Sequence, residues 1–158
     1  MNAQGLVIAA ALVAWPADAA PPRTPVQSIS FETGPCFGAC PVYRVNVSSD
    51  GAGSFEGIRF TAVAGRRAFR ATPAQFRAFA RQLEPIRPLL GPVLDGGVAC
   101  RNITTDLPSV TVTWRSRRGT QRFHFYYGCD MERNRALAER LDAAPALLPI
   151  GDFIRPRR

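Results

Sequence analysis

The chain has 158 residues, a formal net charge of +8 and 46% hydrophobic residues, which suffices for one domain with a real core. All the basic residues that make up this charge are arginine, and together with the many alanines and prolines this usage is typical of a GC-rich bacterial genome. The arginines are scattered over both halves without a basic stripe of interleaved aromatics, so the composition argues against a nucleic-acid partner.

The first 20 residues predict export. Residues 6–15 form an apolar run that is too short for a transmembrane helix, which needs about 20 residues. We interpret residues 1–20 as a secretory signal peptide cleaved near Ala19 or Ala20, and we expect the mature chain in the periplasm or outside the cell. No second apolar run of spanning length follows, so we expect a soluble mature chain without a transmembrane segment.

A proline-rich lead-in at residues 21–25 precedes one expected domain over residues 26–154, and a basic tail follows at residues 155–158. Alternation of apolar and polar residues predicts a first strand from Val26 to Glu32. After a loop rich in turn-forming residues, the same alternation predicts a second strand over residues 43–47.

An Asp-Gly dipeptide then predicts a hairpin. A three-residue loop over residues 50–52 would set Phe55 opposite Val47, and we favour it because apolar cross-strand pairs on one face set the register. Residues 58–70 predict one further strand or a pair of short strands, interrupted at Gly65.

The next element is a helix. Thr72 and Gln75 form a capping box with Pro73 at the first helical position. Apolar side chains follow at helical spacing and predict one face that lies on the sheet: Phe76, Phe79, Leu83 and Ile86. The helix must end before Pro88. Residues 89–107 predict a long irregular segment of the kind that is often functional.

The clearest hairpin follows that segment. With Arg118-Gly119 as a two-residue turn, Trp114 falls opposite Phe123, and the large apolar side chains share one face. The opposite face is polar and forms a possible site for an anion or a partner, made of Arg115, Arg117, Arg122, His124 and Tyr126. This register sets Arg115 directly opposite Arg122, which is unfavourable unless the two splay apart or share an anion.

A second helix is predicted near the end of the chain. Asp130 can cap it, Leu137 and Leu141 face inward, and Pro145 stops it. A short apolar segment over residues 147–154 closes the domain. We therefore predict an α+β fold, an antiparallel sheet built of hairpins with two helices packed on one face, stabilised by disulfides.

The four cysteines are Cys36, Cys40, Cys100 and Cys129. An even number in an exported chain indicates two disulfides, with three possible connectivities. A four-thiolate zinc site would need a second closely spaced pair, which Cys100 and Cys129 do not provide. A redox-active pair of Cys36 and Cys40 is the third interpretation, although the established exchange motif is C-x-x-C and not C-x-x-x-C.

The side chains form no recognisable catalytic pattern. His124 is the sole histidine, and no cysteine, serine or carboxylate stands at a spacing that would orient it. A phosphate-binding glycine loop, G-x-S-x-G and H-E-x-x-H are all missing from the sequence. We therefore favour a non-enzymatic protein and assign no catalytic residue, metal ligand or cofactor.

Three segments resemble one known family. They are Cys36-Phe37-Gly38-Ala39-Cys40-Pro41-Val42-Tyr43, Thr105-Asp106-Leu107-Pro108 and Tyr127-Gly128-Cys129. With this C-x-G-x-C-P-x-Y signature, the chain resembles the bacterial domain of unknown function 6438 over residues 28–153. The resemblance implies an exported or lipid-anchored protein without an assigned activity, although this chain lacks the anchor cysteine of lipoprotein members. It also implies structural roles for Cys36, Gly38, Cys40, Pro41, Tyr43 and Cys129.

Taken together, these patterns predict an exported envelope or secreted module without enzymatic activity, with a binding or structural role. Its candidate partners are a protein, a glycan or a small molecule, held on the polar face of the sheet or along residues 89–107. The alternative is a thiol-disulfide protein that uses Cys36 and Cys40. No pattern indicates an oligomeric state.

Overall fold

Alternating apolar and polar residues build six strands, and all of them pair antiparallel in one sheet. The computed structural model describes residues 24–89 and 100–155. The strands are β1 (Val26–Thr33), β2 (Val42–Ser48), β3 (Ala52–Arg59), β4 (Gly65–Arg70), β5 (Ser109–Ser116) and β6 (Gly119–Tyr126). Their order is β4-β3-β2-β1-β5-β6, so the first strand lies inside the sheet. The predicted α+β class is confirmed.

The helices are α1 (Pro73–Leu83), α2 (Arg135–Ala143) and the single turn α3 (Gly151–Ile154). The capping box of α1 is present, because the Gln75 N–H donates to the Thr72 hydroxyl and the Thr72 N–H donates to the Gln75 side chain. The prediction that Asp130 caps α2 is wrong. Asn134 holds the cap position, and the Asp130 carboxylate accepts backbone N–H groups from a different segment.

Both long helices lie on the apolar face of the sheet, as predicted. Phe79 of α1 contacts Phe31 of β1 with ring centroids 6.3 Å apart, and Leu141 of α2 is buried in the same cluster. The Gln82 side chain joins the two helices by donating to the Arg140 carbonyl at 3.0 Å. The other face of the sheet is polar, and none of the described helices packs on it.

The register of the β5–β6 hairpin differs from the prediction by two residues. Its turn is Arg117-Arg118, with Ser116 opposite Gly119, and Trp114 lies opposite Gln121 and not opposite the predicted phenylalanine. The Ser116 hydroxyl stabilises this turn, since it donates to the Gly119 carbonyl and accepts the N–H of Arg118. A slip of two residues preserves the alternation of side chains, so the predicted core face is retained.

The β2–β3 hairpin shows the same kind of difference. Its loop has the predicted length of three residues but covers residues 49–51, so Phe55 lies opposite Val45 and not opposite Val47. Gly51 adopts a φ of 88°, a conformation that glycine reaches without steric cost. Its carbonyl accepts the N–H of Ala71 at 2.9 Å, which joins the loop to the residue that follows β4.

A buried arginine that the sequence did not single out follows α1. Arg87 is 5% exposed, and its guanidinium donates to the Gln121 side chain at 3.3 Å and to the Thr24 carbonyl at 3.1 Å. It also pairs with Glu84 at 3.5 Å. Arg87 thus joins the end of the first helical segment to β6, and α1 ends before Pro88, as predicted.

Several predictions fall on residues that the structure does not describe: the signal peptide, most of the lead-in, residues 90–99 of the long segment, and the last three residues of the tail. Residues 100–107 contain no strand or helix, apart from a bridge between Ile103 and Cys129. Over residues 24–89 and 100–155, no helix has the length and apolar character needed to cross a bilayer.

Candidate functional site

The four cysteines form two disulfides, Cys36–Cys40 and Cys100–Cys129. The sequence left three disulfide connectivities open. In the observed connectivity, the two cysteines that are nearest to each other in the chain form one of the disulfides. The first disulfide closes a short loop in front of β2, in which Gly38 adopts a φ of 138°. Phe37 at the tip is 88% exposed, while its N–H donates to the carbonyl of Asp106 at 3.0 Å.

The second disulfide fixes the segment that precedes β5. Cys129 is buried, whereas Cys100 is exposed. The neighbouring Asp130 carboxylate accepts the N–H groups of Arg101 and Asn102, both at 2.9 Å. These backbone hydrogen bonds hold the pKa of Asp130 below its ordinary value. The carboxylate therefore has a structural role, as an anchor for the chain next to the disulfide.

A cavity of about 500 Å³ opens at the end of the sheet where β1 and β2 meet the start of β5. We call it the tyrosine pocket and define it by Tyr43, Tyr127, Asp142 and Arg155, which all line it. Its walls also include Cys40 of the first disulfide and several apolar groups, namely Phe31, Pro41, Pro108, Leu141, Pro145 and Ile154. A second cavity shares Pro108, Tyr127 and Asp142 with it and continues along α2.

The two tyrosine hydroxyls of this pocket differ in their partners. The Tyr127 hydroxyl donates to Asp142 at 2.6 Å. Tyr43 is only 6% exposed, and its hydroxyl makes no hydrogen bond to any residue in the described ranges. Burial raises the pKa of Tyr43, and the nearby Asp142 carboxylate adds to this increase while Arg155 opposes it. Burial and then the hydrogen bond to Asp142 raise the pKa of Tyr127.

On the open face of the sheet, charged side chains form a row that runs across the strands, which we call the ladder. Arg44 pairs with Glu32 at 3.1 Å and with Glu56 at 3.2 Å, and Glu56 also pairs with Arg66 at 3.4 Å. This ladder crosses four neighbouring strands, from β4 to β1. Both glutamates of this face are therefore already neutralised by arginine.

The other half of the open face, together with the turn of the β5–β6 hairpin, is positively charged. Arg115, Arg117, Arg118 and Arg122 are all exposed, and we call them the arginine surface. None of the four forms an ion pair with a residue in the described parts of the chain. The predicted direct opposition of Arg115 and Arg122 is wrong, because Arg115 faces Thr120 and Arg122 faces Thr113. The two guanidinium groups thus stand diagonally, which allows them to spread apart.

The two remaining residues of the predicted anion face have internal partners. His124 Nδ1 lies 2.9 Å from the hydroxyl of Thr111. The Tyr126 hydroxyl donates to the Thr104 carbonyl at 2.9 Å and accepts the N–H of Leu107 at 3.2 Å. Tyr126 therefore anchors the segment before β5. Nowhere in residues 24–89 and 100–155 do three or more His, Cys, Asp or Glu residues come together as a possible metal site.

Comparison with known proteins gives one result that bears on identity. The family described as Domain of unknown function (DUF6438) matches residues 27–145. The chain belongs to the DUF6438 family. No curated protein matches it. The resemblance seen in the sequence is thus confirmed, and it brings no activity with it.

Residues of the DUF6438 resemblance come together in space. Cys40, Pro41 and Tyr43 from the first segment line the tyrosine pocket together with Pro108 and Tyr127 from the other two. Gly128 lies beside Thr104, where a side chain would collide with the Thr104 carbonyl. Spacing in the sequence could not have shown that these segments meet, because β2, β5 and the end of β6 are brought together only by strand pairing.

We expect the free energy of unfolding of this DUF6438 domain to fall as pH rises above about 10, the ordinary pKa of tyrosine. Tyr43 and Tyr127 have raised pKa values in the folded state, so the unfolded chain loses these protons first. Their stabilisation is complete below the unfolded pKa and is lost as pH rises towards the folded one. Tyr43, which is buried, should contribute a loss of about 1.4 kcal/mol by pH 11, and the partly buried Tyr127 should contribute less because solvent screens its interactions.

Urea unfolding between pH 8 and pH 11 measures this effect. The chain contains no lysine, and every described cysteine is in a disulfide, so few other groups titrate in this window. Tyr43→Phe should show a shallower decline than the unmodified protein. An identical decline in both proteins would contradict the role assigned to Tyr43.

Proposed function

We propose that this DUF6438 domain is an exported, non-enzymatic binding module, and that its arginine surface holds an extended anionic polymer. The observation that carries the proposal is the group of exposed arginines without acidic partners on the uncovered face of the sheet. Export is supported by two disulfides, since disulfides persist in oxidising compartments.

The distribution of charge favours an extended partner over a small ion. Arg115 and Arg122 lie near one edge of the sheet, and Arg70 lies on the opposite edge strand. Four strand spacings separate β4 from β5, which corresponds to roughly 19 Å. Between these edges the face offers hydroxyl groups that can donate hydrogen bonds, including those of Ser28 and Thr113. A polymer with repeated negative charges can contact all of these groups together.

Electrostatics also favour the hairpin end of the face as the point of attraction. Arg44 and Arg66 are held by the two glutamates of the ladder, so they contribute little free positive potential. The four guanidinium groups of the arginine surface have no such competition from described carboxylates. Uncompensated charge of one sign raises the local concentration of oppositely charged partners and accelerates their association.

The test is binding of a sulfated polymer, dextran sulfate, and of polyphosphate, followed by fluorescence anisotropy at low ionic strength. Arg115→Ala combined with Arg122→Ala should weaken binding about tenfold, because two exposed charge contacts each contribute roughly 0.5–1 kcal/mol. Binding of the unmodified protein should also weaken as salt is added, since exposed charges are screened.

The matched control is Arg77→Ala combined with Arg81→Ala on α1. These two side chains are exposed, and their removal changes the net charge by the same amount. The control should retain the affinity of the unmodified protein within about twofold. Equal losses in both double variants would indicate a non-specific charge effect, and an unchanged affinity after loss of Arg115 and Arg122 would rule out the arginine surface.

The alternative function is thiol-disulfide exchange, and one observation favours it. Cys36 and Cys40 bond to each other, both are partly exposed, and Phe37 between them projects into solvent. The loop leads into β2 and not into a helix, whose N-terminus would lower the pKa of a reactive thiol. Faster reduction of insulin by dithiothreitol when the protein is present, with this acceleration lost in Cys36→Ser, would favour this alternative over a purely structural disulfide.

A further inference from the structure

We propose that the tyrosine pocket binds an aliphatic zwitterion, either a free amino acid or a short peptide with free termini. The inference does not rest on the anionic polymer, because the pocket and the arginine surface share no residue. It depends on three features of the pocket: a tyrosine hydroxyl that no protein group binds, two opposite charges that do not pair with each other, and apolar walls.

The hydroxyl of Tyr43 is the first feature. Tyr43 is 6% exposed and lines the cavity, yet no described residue forms a hydrogen bond with its hydroxyl. The hydroxyl oxygen itself is not fully buried, so it remains open to the cavity. The neighbouring Tyr127 hydroxyl is already bound to Asp142, so it cannot donate to Tyr43 at the same time. The pocket therefore presents one hydroxyl, free of protein partners, with which a ligand can exchange hydrogen bonds in place of water.

The second feature is the pair of charges. Asp142 and Arg155 both line the cavity, and within the described residues neither one forms an ion pair. Both act electrostatically on the Tyr43 hydroxyl, with opposite signs, so both charges face the same small space. A carboxylate matches an ammonium group, and a guanidinium matches a carboxylate through two parallel hydrogen bonds. A ligand with both groups satisfies the two side chains together.

The third feature is the wall of the cavity. Pro41, Pro108 and Ile154 contribute apolar surface that suits an aliphatic side chain. The volume of about 500 Å³ falls in the range of sites for small molecules, and it has room for a dipeptide as well as for one amino acid. A ligand of this size should bind with a dissociation constant on the order of 0.1 mM.

The experiment is isothermal titration of the full mature protein with three compounds: L-leucine, the dipeptide Leu-Leu, and N-acetyl-leucinamide, which lacks both charges. We expect saturable binding of at least one zwitterion and none of the capped compound. Binding of leucine identifies a free amino acid as the ligand, and binding of the dipeptide alone identifies a peptide with free termini. Equal binding of the capped compound, or no binding of either zwitterion up to 10 mM, on the order of 100 times the expected constant, would overturn the proposal.

Variants locate the site. Asp142→Asn and Arg155→Gln should each weaken binding by about tenfold or more, and Tyr43→Phe, which keeps the ring, should weaken it about threefold to tenfold. Arg77→Gln on the exposed side of α1 is the control and should bind as the unmodified protein does. The variant proteins can be checked for folding by circular dichroism. Folded variants that bind the zwitterion with unchanged affinity would show that the ligand occupies another place.

Discussion

Replacement of both Cys100 and Cys129 by alanine is expected to lower the free energy of unfolding by about 3.6 kcal/mol. The two cysteines are 29 positions apart in the chain, and a cross-link of that span removes much conformational freedom from the unfolded state. The bond also holds the segment around Ile103, which bridges to Cys129. Urea unfolding followed by fluorescence of the buried Trp114 measures the loss.

The matched variant replaces Cys36 and Cys40 by alanine. Their separation is only 4 positions, so the same chain-entropy argument gives a smaller loss of about 2 kcal/mol. The two double variants remove the same number of sulfur atoms and differ mainly in the span that is closed. If the short-loop variant lost more stability than the long-loop variant, entropy of loop closure would not be the dominant contribution of these disulfides.

Phe79→Ala is expected to destabilise the domain by about 4 kcal/mol. Phe79 is fully buried and contacts Phe31 across the interface between α1 and the sheet, with ring centroids 6.3 Å apart. Truncation removes the transfer free energy of the ring and leaves a cavity that rigid strands cannot close. The midpoint of urea unfolding should fall, while the slope of the transition should stay the same.

Phe37→Ala supplies the control for that experiment. The Phe37 ring is 88% exposed, so its truncation should change stability by no more than about 0.5 kcal/mol. Phe79→Ala and Phe37→Ala make the same chemical change, the first at a buried position and the second at an exposed one. A similar loss in both variants would mean that α1 does not pack on the sheet through Phe79.

Much of the fold could be predicted because its signals are local. The capping box of Thr72 and Gln75 specifies where α1 begins, since these groups satisfy N–H donors within a single turn. The alternation in β5 and β6 assigned each side chain to its face, and an error of two residues in the register left that assignment intact. The prediction failed at Asp130, whose carboxylate binds the backbone of residues 101 and 102 and so does not serve the helix that follows.

The candidate sites also combine features that local sequence predicts with features that only long-range packing creates. The exposed positions of Arg115 and Arg122 followed from strand period alone, because a residue's face depends on its neighbours in the chain. Strand period could not predict three other features: the absence of acidic partners for these arginines, the pairing of the cysteines, and the tyrosine pocket. Each of them depends on groups that are far apart in sequence. Tyr43, Tyr127 and Asp142 meet only after β1 pairs with both β2 and β5 and α2 packs beside them. Local side-chain chemistry specifies helices, strands and their faces, whereas long-range strand pairing creates the pocket and leaves one face of the sheet open.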